Sequence, residues 1–108
     1  MDHRLITAIF PRVVLDQVEA DLQDTAIPGM TVSHAHGFGE YRNFYTRDTM
    51  TDCVRVEIYC SAAEAESFVS ILCDVVNRHS PEGALVAVSP VETLIRTASC
   101  SGGSGSDA

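Results

Sequence analysis

Residues 53–79 read CVRVEIYCSAAEAESFVSILCDVVNRH, and the spacing of the apolar residues changes once along them. Over 53–60 the period is two: Val54, Val56, Ile58 and Cys60 alternate with Arg55, Glu57 and Tyr59. Successive side chains of a strand point to opposite faces, so this is a strand with one buried face. Over 62–79 the period becomes helical. Phe68, Leu72, Val75 and Val76 form an apolar stripe with Ile71 at its edge. Ser61 with Glu64 three residues later is a capping box, which marks where the helix starts.

Upstream, RLITAIF (4–10) is dense in β-branched and aromatic residues and predicts a first strand, ended by Pro11. Val14, Val18 and Leu22 recur every four residues and predict a helix over 13–24. Pro28-Gly29 marks a turn. MTVSHAHGF (30–38) predicts a second strand with Met30, Val32, His34 and His36 on one face. GEYRNFYTRDTMTD (39–52) reads as a long loop, a kind of segment that often carries function. Downstream, Pro81-Glu82-Gly83 is a turn and ALVAV (84–88) is expected to be a short buried strand. Ser89-Pro90 is expected to interrupt it, and VETLIRT (91–97) to form a short extra C-terminal strand. The order βαββαβ is the ferredoxin-like α+β arrangement, in residues 1–98, followed by a flexible Gly/Ser tail at 99–108. Two helices cover one sheet face. The other face needs a second copy or another partner.

The chain has 108 residues and a net charge of −8, and its seven basic residues are all arginine. Nothing here forms the basic patch that nucleic acid requires. No apolar run approaches the ~20 residues of a membrane-spanning helix. The N-terminus lacks a cleavage-site pattern, so the expected location is the cytoplasm. Cys53, Cys60, Cys73 and Cys100 contain no CxxC pair and read as free thiols. Cys60 and Cys73 fall on apolar faces; Cys53 and Cys100 are expected to be more exposed. No Ser-His-Asp order, phosphate loop or carboxylate pair presents itself, so the chain is not expected to be an enzyme.

Several segments together resemble the PII signalling family: LITAIF, VVLDQVEADL, PGMTVSHAHGFG, VRVEI and VSPVETLIRT, in unbroken order over about residues 4–97. The resemblance implies a trimer of ferredoxin-like subunits, an adenine-nucleotide site between subunits, and a signalling loop that engages a target. That target is often a membrane transporter or a metabolic enzyme; the former makes a peripheral position at the membrane a further expectation. On this pattern Thr31, Gly37, Phe38, Gly39, Gly83 and Arg96 are the candidate effector contacts. Within the loop, Tyr41, Arg42, Phe44, Tyr45 and Arg47 are residue types of binding hot spots and the candidate partner contacts.

The chain also departs from the family pattern. Its loop is shorter. Tyr41 stands where a glutamine helps hold Mg-ATP and 2-oxoglutarate. Cys53, Ala84 and Ala98 stand where the family has two lysines and an arginine. A hydrogen bond to a charged group contributes about 1.5–3 kcal/mol, and about 1.4 kcal/mol is tenfold in affinity. Losing three cations therefore argues against a triphosphate with magnesium and 2-oxoglutarate. A less charged nucleotide such as AMP, cyclic AMP or ADP is the expected effector, with no cofactor required.

Two other readings stand beside this one. His34 and His36 share a strand face, and imidazoles suit zinc, copper or nickel. With Cys53 or Glu57 from the next strand, or three copies around an axis, they would make a metal-binding trimer. Alternatively, the trimer is purely structural. Arg96 in an ion pair with Glu57 or Glu92 would belong to that picture.

Overall fold

The computed structural model describes residues 2–25, 27–35, 52–80 and 83–97. Strand β1 (His3–Pro11) leads through a 3-10 turn (Arg12–Val14) into helix α1 (Leu15–Gln23). Then follow β2 (Thr31–Ala35), β3 (Cys53–Ser61), α2 (Ala62–His79) and β4 (Leu85–Val91). The four strands form one antiparallel sheet in the order β2-β3-β1-β4.

The alternation read in 53–60 is the burial pattern of β3: Val54, Val56, Ile58 and Cys60 are buried. Ile6, Ala8 and Phe10 of β1 lie on the same face, opposite Ile58, Val56 and Val54. Val14, Val18 and Leu22 close over this face from α1, and Phe68, Leu72, Val75 and Val76 from α2. This is one apolar core between a sheet and two helices.

The helix ends follow from local chemistry. Ser61 Oγ accepts from the Glu64 backbone N–H at 3.3 Å, and Glu64 Oε1 reaches back to the Ser61 N–H at 3.5 Å. These bonds satisfy donors that the first turn leaves free. At the end of α1, the Thr25 hydroxyl donates to the Leu22 carbonyl at 2.6 Å. Gly83 has φ of +79°, which only glycine adopts without strain, and its N–H donates to the Ser80 carbonyl at 3.2 Å.

Three expectations are corrected. Ser89-Pro90 does not interrupt β4: Ser89 pairs with Leu5 and Pro90 with Arg4. β4 is an edge strand, where a residue without an N–H is tolerated. The extra C-terminal strand is not formed, since Val91 ends β4 and residues 92–97 pair with no described strand. Finally, Cys53 is buried rather than exposed, at the end of β3 where it pairs with Pro11, itself buried, although it lies on the face turned away from the helices.

Candidate functional groove

β1, β3 and β4 each send alternate residues away from the helices. Leu5, Thr7 and Ile9 lie there, beside Arg55, Glu57 and Tyr59 on β3, and Leu85, Ala87 and Ser89 on β4. No element of the described chain covers this face. Leu85 is 46% exposed and Tyr59 47%.

One end of this face holds a groove of about 660 Å³, a volume ordinary for a small-molecule site. Its floor is Glu57 and Tyr59 of β3 and His3 of β1. Pro28 to Thr31, entering β2, make one wall. The segment Leu94-Ile95-Arg96 makes the other. Ser61 and Glu64, the capping box of α2, close the end.

The groove brings together Thr31 and Arg96, which lie far apart in the chain. Among the described residues Arg96 is exposed and forms no ion pair, so the pairing with Glu57 or Glu92 is not made. Gly83 is elsewhere. It precedes β4, whereas Thr31 opens β2, at the opposite edge of the sheet. Three strand spacings, about 14 Å, separate these edges. Gly37, Phe38, Gly39, the loop residues Tyr41, Arg42, Phe44, Tyr45 and Arg47, and His36 lie outside the described residues. So do Ala98, Cys100 and the tail.

His34 pairs with Val54, on the helix side of edge strand β2, and is exposed. Cys53 and Glu57 lie on the opposite face of β3 from Val54, the residue paired with His34. Neither is beside His34 as a second ligand. Among the described residues, no three His, Cys, Asp or Glu side chains come together to hold a metal.

Sequence reasoning had not placed His3, Tyr59, Glu64, Leu94 or Ile95 at a site. The parity of β3 already put Tyr59 with Glu57; the other four are brought there by the tertiary arrangement, His3 by strand pairing and Leu94 and Ile95 by the course of the chain after β4. The charge balance is mixed: Arg96 lines the groove together with Glu57 and Glu64. Cys60 sits under the groove, its thiol pKa raised by burial and the Glu64 carboxylate, against a lowering by Arg4.

These features define a ferredoxin-like α+β subunit with an uncovered sheet face and a small-molecule groove at one end. The family model described as Nitrogen regulatory protein P-II matches residues 3–99, and the chain belongs to that family. Among solved structures, it is similar to Arabidopsis thaliana PII bound to citrate. The identity is 26% over 88% of this chain and 82% of that one, with a TM-score of 0.73. A DUF3240 family protein from Shewanella baltica OS155 shares the fold. That match has 18% identity over 89% of this chain and 97% of that one, and a TM-score of 0.71. No helix among the described residues is long and apolar enough to cross a membrane.

Proposed function

We propose that this chain is a non-enzymatic regulatory subunit that works as a homotrimer. It takes a small effector, an adenine nucleotide of low charge such as AMP, cyclic AMP or ADP, in the groove. It controls a protein partner, such as a membrane transporter, through the 40–52 loop. The observation that supports this reading is that Thr31 and Arg96 line one groove of about 660 Å³. An arginine with no ion pair among the described residues keeps its guanidinium available for an anion. The wide separation of Gly83 from this groove favours a ligand held between copies, with Gly83 of one copy facing Arg96 of the next. The uncovered sheet face supplies the apolar surface for that assembly.

Calorimetric titration tests the reading. The full chain is titrated with AMP, cyclic AMP, ADP and ATP, each with and without magnesium, and with citrate, the ligand of the Arabidopsis relative. Binding of a mono- or diphosphate nucleotide, lost in Arg96→Ala, is expected. No heat from any nucleotide, with zinc binding lost in His34→Ala, would overturn it in favour of the metal-binding trimer.

A further inference from the structure

The bare sheet face carries two opposite charges that have no partner within the described subunit. Arg55 and Glu57 are the only Arg, Lys, Asp or Glu residues that the described strands turn away from the helices. Both sit on β3, inside the sheet, about 7 Å apart along the strand. Each lies in an otherwise uncharged row. Arg55 is flanked by Ser33 and Ile9, with Leu85 beyond Ile9. Glu57 is flanked by Thr31 and Thr7, with Ala87 beyond Thr7. Among the described residues neither forms an ion pair, with the other or elsewhere. Arg55 is exposed, and Glu57, half-buried, lines the groove. We propose that the bare face docks on a second copy of this chain through an ion pair between copies, Arg55 of one with Glu57 of the next. The neighbouring copy thereby contributes a cation to the floor of the groove. This rests on the reading of the chain as a homotrimer.

Charge and symmetry carry the inference. Leu5, Ile9 and Leu85 give the face an apolar surface whose burial favours association. Covering that surface takes both charges out of water, and a buried charge left without a counter-charge is strongly destabilising. An uncharged partner surface leaves both unpaired. A partner surface of one sign leaves one unpaired. A second copy necessarily presents both signs. In a threefold ring each Arg55 meets the Glu57 of the next copy, so three pairs form and no charge is left over. The groove changes with them. In one copy its charged lining is Arg96 with Glu57 and Glu64. Arg55 from the neighbour, set against Glu57, offsets one of the two carboxylates. An anion therefore meets less repulsion in the assembled groove than in a lone subunit.

Sedimentation equilibrium of the full chain tests the pair. The unmodified chain is compared with Arg55→Glu, Glu57→Arg and the double variant carrying both. The unmodified chain is expected to form a trimer. Each single variant sets like charges against each other and should raise the protein concentration needed for half-assembly at least about tenfold. The double variant restores opposite charges in exchanged places and should recover most of that loss. Circular dichroism confirms that each variant is folded. If a reversed charge unfolds the subunit, Arg55→Gln, Glu57→Gln and their combination replace the set. Coupled charges then make the combined loss smaller than the product of the single losses. Single variants that assemble as tightly as the unmodified chain overturn the pair and leave the homotrimer standing. Single variants that dissociate with no recovery in the double variant also overturn it, because the two charges then do not meet. An unmodified chain that stays monomeric at all concentrations overturns both the pair and the homotrimer.

Discussion

At the start of β3, Cys53 stands where the PII pattern has a lysine, and the two side chains meet the same position very differently. The thiol is buried, and its pKa is raised by burial and by the Asp52 carboxylate. Cys60 is buried and raised as well. A thiol held protonated in the fold but free to ionise when unfolded adds stability below the unfolded value of about 8.5. That contribution declines as pH rises from there toward the folded value. Urea midpoints are therefore expected to fall above about pH 8.5, and to fall less in Cys53→Ala than in the parent chain. Iodoacetamide near neutral pH should label Cys53 and Cys60 at least about tenfold more slowly in the native chain than in urea, because only an accessible thiolate reacts. Peptide mass spectrometry reads both sites. Gly83 offers a second residue-level test. An alanine at its φ of +79° is strained, with the cost about 1–2 kcal/mol in a urea melt.

At the scale of elements, α2 was legible from end to end. Its expected range, 62–79, is the observed one, because both its stripe and its capping box are local signals. Ser61→Ala should lower stability by about 1 kcal/mol, seen as a melting temperature several degrees lower at equal protein concentration. Arg78 bridges Asp21 at 3.0 Å and Asp74 at 3.2 Å, but all three are well exposed. Arg78→Ala should therefore change stability by less than about 1 kcal/mol. β4 was the element misread. Pro90 looked like a break because proline removes a ladder donor, and only the strand order reveals that β4 is an edge. Val91 completes β4 by pairing with His3, and residues 92–97 pair with no described strand.

At the scale of the whole molecule, the helix-covered face and the bare face behave as opposites. Leu72 is fully buried in the core, so Leu72→Ala is expected to cost about 2–5 kcal/mol. Leu85 lies on the bare face and is 46% exposed, so Leu85→Glu should leave the subunit fold intact by circular dichroism. If copies assemble through that face, sedimentation should show a trimer for the parent chain and smaller species for Leu85→Glu. A trimer that survives this substitution would place the interface elsewhere.

The amino-acid sequence by itself determined the α+β class, the order of the elements, the core stripe and the family. These rest on periodicity and on motifs a few residues long, which nearest neighbours along the chain impose. The tertiary structure alone decided what meets in the groove. Thr31, Arg96 and His3 share it because strand pairing places His3 beside Ser61 and Thr31 beside Glu57, while the segment after β4 lays Arg96 alongside. Such contacts link residues distant in sequence, and no local pattern encodes which of them will meet.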